Sequence, residues 1–263
     1  MHYTLAYPTD LTHEQWNLIE ALVPRWNGVG RPPTHARRHI LNAIFYHLRA
    51  GGAWRLMPHD FPPWRTVYDY FRQWRRQGWW DQLHDRLRQL VRLHAGKKTA
   101  PTAAILDSQT VKIADQAGVR GYDAGKKING RKRHLVVDTL GLVLAVVVTG
   151  ASVQDRDGAR LVLAVLAHRF SRLVCVWADG GYAGALVAWL WQLRARRRVR
   201  LELIRRASGQ RGFAVLPKRW IVERTFAWLV KYRRLRCDYE RDPATSETMI
   251  KVAMIHLMIR RLA

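Results

Sequence analysis

The pattern of apolar residues changes near residue 100, and this change constrains the fold more than any other feature of the sequence. Before it, apolar residues recur at helical spacing between Gly and Pro breaks; after it, short continuous apolar runs dominate. The first pattern predicts amphipathic helices and the second predicts buried strands. Lys97–Pro101 lies at the change and has the composition of a linker. We therefore predict two domains, residues 1–98 and residues 101–263.

Four short helices are predicted in the first domain. Thr12 and Gln15 form a capping-box pattern ahead of the first apolar stripe. The stripes of the other three helices, bounded by Gly or Pro breaks, are Ile40 to Leu48, Val67 to Trp74 and Leu83 to Val91. Short helices joined by such tight breaks are typical of a helix-turn-helix-like bundle.

The charge of the chain indicates its class of partner. It has 45 Lys and Arg against 20 Asp and Glu, a net charge of +25, which favours a polyanion such as nucleic acid. The third helix is our first choice for the helix that enters a DNA groove, because arginines line its surface. The candidates for DNA contact on this helix are Arg65, Arg72, Arg75 and Arg76. The alternative is that these arginines only solvate a helical bundle.

Composition also disfavours secreted and membrane-spanning classes of protein. Two cysteines, Cys175 and Cys237, are too few for a disulfide framework or a Cys-based zinc site, so a reducing cytoplasm is the expected location. The longest apolar stretch, Leu140 to Val148, is too short to span a bilayer.

Two apolar strands of the second domain each lead into an aspartate. Thr102–Leu106 is followed by Asp107, and Leu173–Ala178 is followed by Asp179. Open α/β sheets place their sites at strand ends, so the two aspartates lie close together if their strands are neighbours. The other predicted elements are a hairpin of residues 133–137 and 142–148, helices over 155–169 and 184–197, and a strand over 199–204.

A third acid, Glu223, lies in a helix predicted within the stretch from Leu216 to Leu229. Arg219 precedes Glu223 by about one helical turn, and Lys231 and Arg234 follow it near the same side of the helix. One interpretation is a solvated helix with an intrahelical Arg–Glu pair, worth only about 0.2–0.5 kcal/mol. The other, which the order and setting of the three acids favour, is that Glu223 belongs to one site with the two strand-end aspartates.

Carboxylates brought close together repel unless one takes up a proton or they share a cation. Because the expected partner is a phosphodiester, a hard divalent ion is the simplest shared cation, and Mg²⁺ leaves positions for water and phosphate oxygens. A third carboxylate completes a site for two ions about 3.5–4 Å apart. Three other acids, Asp138, Asp155 and Asp157, are interpreted as turn or helix caps.

Longer motifs run through both domains. Those of the second domain are Leu106 to Lys112, Gly121 to Thr139, Ala178 to Tyr182 and Arg219 to Phe226. Those of the first are Leu11-Thr12 with Gln15-Trp16, Gly30-Arg31-Pro32, Trp54-Arg55 and Phe61-Pro62-Pro63-Trp64. Together they resemble bacterial insertion-sequence transposases of the DDE class, in particular insertion-sequence group five.

This resemblance implies an α/β catalytic domain of the ribonuclease H-like class, a mixed sheet flanked by helices, preceded by the all-α helix-turn-helix-like region. The family's catalytic and metal-binding acids fall on Asp107, Asp179 and Glu223. The implied cofactors are two Mg²⁺ ions, for which Mn²⁺ is a substitute.

The resemblance also implies contacts with double-stranded DNA. Of the family's Tyr–Arg–Glu–Lys signature Arg219 is kept, whereas Leu216 and Val230 stand at the Tyr and Lys positions. Lys231 or Arg234 is expected to supply the missing charge. Further candidates for phosphate contacts are Lys126, Lys127, Arg131, Lys132 and Arg133.

The function implied by the resemblance is that of a transposase bound to the terminal inverted repeats of an insertion sequence. It cleaves the ends and joins their 3′-hydroxyls to target DNA by two-metal phosphoryl transfer. A homodimer or larger assembly is implied, because both ends must be joined, and the nucleoid of a bacterial cytoplasm is the expected location. The alternatives are a catalytically inactive, DNA-binding repressor derived from a transposase and a nuclease that cuts without joining.

Overall fold

The structure is a computed structural model that describes residues 6–26, 28, 32–114, 118–194, 199–204 and 218–263. The chain divides into two compact units. Unit 1 comprises Met1–Lys97, Lys231–Leu235 and Thr248–Ala263, and unit 2 comprises Lys98–Val230 and Arg236–Glu247. The first division falls inside the predicted linker, whereas two C-terminal segments of unit 1 come from the stretch that the sequence assigned to the second domain.

The elements follow one another in mixed order along the chain. The helices are α1 (His13–Ile19), α2 (Arg37–Ala50), α3 (Trp64–Arg76), α4 (Trp79–His94), α5 (Asp155–Arg169), α6 (Ala185–Arg194), α7 (Trp220–Val230) and α8 (Pro243–Leu262). The strands are β1 (Ala103–Lys112), β2 (Gly121–Asp123), β3 (Ile128–Asp138), β4 (Val143–Gly150), β5 (Cys175–Asp179) and β6 (Arg200–Ile204). None of these helices combines the length and apolar character needed to cross a bilayer.

Unit 1 is helical, as predicted, and its N-terminal signals act as expected. Thr12 accepts a hydrogen bond from the backbone N–H of Gln15, whose side chain in turn accepts from the N–H of Thr12, so the capping box is present. Gly51 ends α2 in the left-handed conformation, with φ of 82°. The C-terminal part of α8 belongs to this unit because its side chains complete the core: His256 stacks on Phe45 at 4.6 Å between ring centroids.

The described residues of unit 2 form a six-stranded mixed sheet in which β1 is central. On one side β1 pairs with β3 in antiparallel fashion, and β3 pairs in turn with β4 and β2. On the other side β1 pairs in parallel with β5, and β5 pairs in parallel with β6. This order, with helices packed against the sheet, confirms the predicted ribonuclease H-like class.

Two strands are longer than the sequence predicted. β1 extends to Lys112, so Asp107 lies inside the strand and not at its end. β3 begins at Ile128, five residues before the predicted start of the hairpin at Arg133. The apolar-run criterion missed these parts because polar side chains face each other there, as in the register pairs Ser108–His134 and Thr110–Lys132.

Helix α5 packs against β3 and β4 over a continuous apolar core that includes Leu106, Val136, Val162 and Leu166. Its predicted bounds, residues 155–169, are confirmed. Gly158 lets the helix approach β3 closely, since a Cβ atom at this position would lie 1.9 Å from the imidazole carbon Cε1 of His134. The His134 ring is fully buried, so it has no space into which to move.

We expect Gly158→Ala to destabilise the protein by about 1–3 kcal/mol. Helix propensity alone predicts the opposite, a gain of up to about 1 kcal/mol for Gly→Ala inside a helix. Urea unfolding followed by circular dichroism distinguishes the two directions. In a His134→Ala background the same substitution should cost much less, because the clashing ring is gone; an equal cost in both backgrounds would contradict the packing argument.

Candidate active site

Asp107 and Asp179 lie next to each other because their strands are parallel neighbours. The last register pair of β1 with β5 joins Ile105 to Trp177. Each aspartate lies two residues beyond that pair, Asp107 within β1 and Asp179 as the last residue of β5. The structure therefore confirms that the two strands are neighbours, the condition on which the predicted proximity of these acids depended.

One oxygen of each aspartate is held by the local backbone. Asp107 Oδ1 accepts a hydrogen bond from the N–H of Ser108 at 2.7 Å, and Asp179 Oδ1 accepts from the N–H of Gly181 at 2.7 Å. The second oxygen of each carboxylate, Oδ2, points to the guanidinium of Arg219. The backbone thus fixes the two side chains in orientations that leave one oxygen of each available to a cation.

Helix α7 brings the third acid to the same place. Glu223 lies in the first turn of α7, and Arg219 lies just before the helix begins. Arg219 Nη2 lies 3.9 Å from Asp107 Oδ2, 3.6 Å from Asp179 Oδ2 and 3.5 Å from Glu223 Oε1. Because these oxygens all lie so close to one nitrogen, the three carboxylates converge. Leu216, at the start of the predicted helix, lies outside the described residues.

Burial changes the acidity of one of these acids. It raises the pKa of Asp107 to about 6, from an ordinary value of 3.8, and the negative charge of Asp179 acts in the same direction. The Ser108 N–H, Arg219 and Lys126 oppose this rise. A carboxylate that is buried beside another carboxylate favours either a proton or a nearby cation.

A second polar cluster lies on the opposite face of β1 from Asp107 and was missed by the sequence analysis. Asp155 Oδ1 accepts from Ser108 Oγ at 2.8 Å and pairs with Lys132 Nζ at 3.0 Å. Lys132 Nζ also lies 3.5 Å from Asp123 Oδ2, which accepts from Thr110 Oγ1 at 2.6 Å. Burial opposes ionisation of Asp155, but Lys132 and Ser108 lower its pKa. Asp155, interpreted from sequence as a cap, therefore holds β1, β3 and α5 together.

The predicted DNA-binding residues of unit 2 fall into two groups. Lys126 and Lys127 are exposed on the turn between β2 and β3, and Lys126 is close enough to lower the pKa of Asp107. Arg131, Lys132 and Arg133 are buried. Arg131 pairs with Asp238 at 3.1 Å and donates to backbone carbonyls. Burial argues against the predicted DNA contacts of this second group, since the run of basic residues lies in the sheet interior.

The predicted DNA-binding residues of unit 1 are more accessible. On α3, Arg65 and Arg76 are exposed, and Arg72 and Arg75 are partly exposed. Of the two candidates for the missing signature charge, Lys231 is exposed, whereas Arg234 is 7% exposed and donates to the carbonyl of Gly52 at 2.9 Å.

The three acids offer hard oxygen ligands of the kind that Mg²⁺ and Mn²⁺ prefer. Within the described ranges, no three His, Cys, Asp or Glu side chains stand in a ready-made metal-binding geometry. The positive charge among the carboxylates is the Arg219 guanidinium. Donor chemistry and a shared position for a cation therefore both fit divalent ions at this site.

Comparison with protein families defines the class of this chain. Residues 98–258 match the model of the transposase DDE domain, and residues 11–84 match a model described as "Putative transposase of IS4/5 family". The first match covers more than half of the sequence, so the chain belongs to the family of DDE-domain transposases. Proteins of this family generally use divalent metal ions.

Individual relatives agree with this family. The chain is 35% identical over 123 residues to a Burkholderia cepacia protein named "Putative transposase for insertion sequence element IS402", a match that covers 43% of this chain and 54% of that protein. The chain thus spans about half the length of this relative. A second B. cepacia protein, an uncharacterized 16.2 kDa protein of insertion element IS402, is 32% identical over 122 residues, which cover 44% of this chain and 76% of that protein.

Among solved structures, the Mos1 mariner paired-end complex with Mn aligns over 95% of this chain and 84% of its own. The sequence identity is 11% and the TM-score is 0.30, a value at which the likeness supports no structural argument.

We expect Asp107→Asn to stabilise the metal-free protein at about pH 8, by up to about 3 kcal/mol. The folded state binds the Asp107 proton more tightly than the unfolded state, so ionisation costs stability above a pH of about 6 and costs nothing below 3.8. The gain should therefore shrink as the pH falls through this window. Urea unfolding in the presence of a chelator, at about pH 8 and about pH 4, measures it.

Asp157→Asn is the matched control for this prediction, because Asp157 is an exposed acid on α5 whose ion pair, with Arg160, lies within its own helix. It should show no comparable gain at either pH. A less stable Asp107→Asn protein at pH 8 would contradict the argument from burial.

Proposed function

We propose that this chain is a DNA transposase, an enzyme that cleaves the terminal inverted repeats of an insertion sequence and joins the freed 3′-hydroxyls to target DNA. The observation that carries the proposal is the convergence of Asp107, Asp179 and Glu223 on one cation. Three acids so far apart in the sequence converge here because a parallel strand pair and the first turn of a helix place them. An ordinary surface ion pair needs no such arrangement.

Asp107, Asp179 and Glu223 would hold the divalent ions in this proposal. Bound Mg²⁺ supplies the activation of the attacking oxygen and the stabilisation of the leaving oxygen in phosphoryl transfer. The oxygens that would hold the ions include Oδ2 of Asp107 and of Asp179, since Oδ1 of each accepts a backbone N–H. Lys126, exposed beside the site, would attract and position the scissile phosphate by charge.

The reaction that this arrangement serves has two steps. Water attacks the phosphorus at the transposon end, and the bond to the 3′-oxygen breaks, which leaves a 3′-hydroxyl and a 5′-phosphate. That hydroxyl then attacks a target-strand phosphate, displaces a second 3′-oxygen and forms the new phosphodiester. Neither step requires a covalent bond between protein and DNA.

Unit 1 would recognise the inverted repeats. Its support is the arginine-rich surface of α3, on which Arg65 and Arg76 are exposed, together with the net charge of +25. Both ends of an element must be held for joining, so we propose a homodimer or larger assembly on DNA, acting at the nucleoid in the cytoplasm.

Strand chemistry tests the proposal. The full chain is incubated with Mg²⁺ and labelled duplexes taken from the DNA on either side of its gene, and cleavage and joining to a target plasmid are measured. Asp107→Asn, Asp179→Asn and Glu223→Gln should each reduce both products by at least about a hundredfold, since each removes a ligand oxygen from the reacting centre. Asp157→Asn, on an exposed surface of the same unit, should retain activity.

Two other outcomes would replace the proposal. Binding of the duplex without cleavage, in Mg²⁺ and in Mn²⁺, would indicate a catalytically inactive, DNA-binding repressor. Cleavage without any joined product would indicate a nuclease of the same fold.

A separate prediction concerns unit 1. The double variant Arg65→Ala/Arg76→Ala should weaken binding to the end duplex, and the slope of log K against log[salt] should fall by about one for each phosphate that the variant no longer neutralises. Fluorescence anisotropy over a range of salt concentrations measures both quantities. Arg86→Ala is the control, because Arg86 is exposed on α4 but is not among the predicted DNA-binding residues. Equal effects of the two variants would contradict a DNA-binding role for α3.

A further inference from the structure

Arg219 is held in place by its surroundings. It precedes α7 directly, and the preceding residue, Lys218, has a left-handed backbone conformation with φ of 71°. The ammonium group of Lys218 lies 4.0 Å from the centre of the Trp177 ring on β5. Trp177 donates in turn to Glu202 Oε2 at 2.8 Å. These contacts fix the chain where it enters α7 and so direct the guanidinium toward the end of β5.

The ion pairs of Arg219 have a single destination. Among the described residues, its three ion pairs all go to the proposed ligand acids, through the same atom, Nη2. The Arg219 side chain is 21% exposed, so water screens these pairs only in part. One guanidinium therefore reduces the mutual repulsion of three carboxylates.

The same position cannot serve Arg219 and divalent ions together. A metal ion would bind these carboxylate oxygens at about 2.1 Å, whereas Arg219 Nη2 lies 3.5–3.9 Å from them. Two cations within a few ångströms of each other repel strongly in a partly buried site. Arg219 must therefore withdraw from at least part of the carboxylate cluster before the site can fill.

We propose that Arg219 is an internal counter-ion that competes with divalent metal ions for Asp107, Asp179 and Glu223. It holds the three acids together in the metal-free protein, and it lowers the affinity of the protein for metal when DNA is absent. This inference rests on the proposed function, because it takes the three acids to be the metal ligands. It gives Arg219 a role that the resemblance in sequence did not assign.

Metal affinity in the absence of DNA tests the proposal, with no need for catalysis. Mn²⁺ is titrated into the metal-free full chain, and binding is followed by electron paramagnetic resonance of the remaining unbound Mn²⁺ and by isothermal titration calorimetry. Arg219→Gln should bind Mn²⁺ roughly tenfold more tightly than wild type, given three partly exposed pairs of modest strength. Arg219→Lys keeps the charge and should stay closer to wild type than Arg219→Gln does.

The matched control is Arg236→Gln. Arg236 is an exposed arginine of the same unit whose guanidinium donates to the carbonyl of Val230 at 3.2 Å. Arg236→Gln lowers the net charge by the same amount as Arg219→Gln. It therefore measures how much of any increase in Mn²⁺ affinity comes from the overall charge of the protein. Affinity for Mn²⁺ should change far less than in Arg219→Gln.

Thermal unfolding supplies a second measurement that a variant with a merely perturbed fold would not reproduce. In chelator, Arg219→Gln should melt at a lower temperature than wild type, because the three carboxylates lose their shared cation. Saturating Mn²⁺ should raise its melting temperature by more than it raises that of wild type. The lower melting temperature in chelator and the larger rise with Mn²⁺ both result from the loss of the Arg219 charge among the three carboxylates.

The outcomes separate the two proposals. If Asp107→Asn abolishes Mn²⁺ binding but Arg219→Gln leaves the affinity unchanged or weaker, Arg219 does not compete with the metal, and the proposed function still holds. If Asp107→Asn and Glu223→Gln leave Mn²⁺ binding intact, the metal binds elsewhere and both proposals fail. Circular dichroism of each variant shows whether the fold is retained.

Discussion

The parallel pairing of β1 with β5 is the contact on which the candidate site depends. Its register sets Asp107 beside Asp179, each two residues beyond the pair of Ile105 with Trp177. Since side chains alternate between the faces of a strand, a slip of one residue would turn Asp107 to the other face of the sheet. Ile105 and Val176 are both fully buried, so the two strands pair within the apolar interior. Apolar packing thus holds together two groups whose charges favour separation.

Helix α7 contributes the remaining acid because it is anchored at its middle. Thr225 Oγ1 donates to the carbonyl of Gly141 at 2.7 Å, and Arg224 donates to the carbonyl of Leu140 at 3.1 Å. Gly141 has a φ of 82°, and a Cβ atom there would lie 2.9 Å from both Thr225 and Trp228. The turn between β3 and β4 therefore packs directly against α7, and this contact fixes the position of Glu223 relative to β1 and β5.

The sequence predicted most of this architecture where apolar periodicity is strong. Helices α1 to α4, the bounds of α5 and the mixed sheet followed from stripes and runs, and the family followed from its motifs. The lengths of β1 and β3 were not predicted correctly, because this strand pair buries polar residues such as Lys132 and Thr110, and polar residues in a sequence are typical of loops. The burial of the basic run at residues 131–133 was not predicted either, because the acids that pair with Arg131 and Lys132, such as Asp238 and Asp155, are distant in the sequence and periodicity does not reveal them. The four-residue spacing of Arg219 and Glu223 was visible, but not that the two aspartates would share the same guanidinium.

The composition of unit 1 sets an order of assembly during synthesis. Its core includes Ile250, Met254 and Met258 of α8, all fully buried, and Tyr232, whose hydroxyl lies 3.2 Å from His256 Nδ1. A ribosome makes these α8 residues only after the whole of unit 2, and Tyr232 only after Lys98–Val230 of that unit. Unit 1 therefore cannot complete its core before α8 has been made, and a nascent chain that ends near the linker still exposes the apolar faces that α8 later covers. A product that is terminated before α8 would therefore lack part of the core of the arginine-bearing bundle.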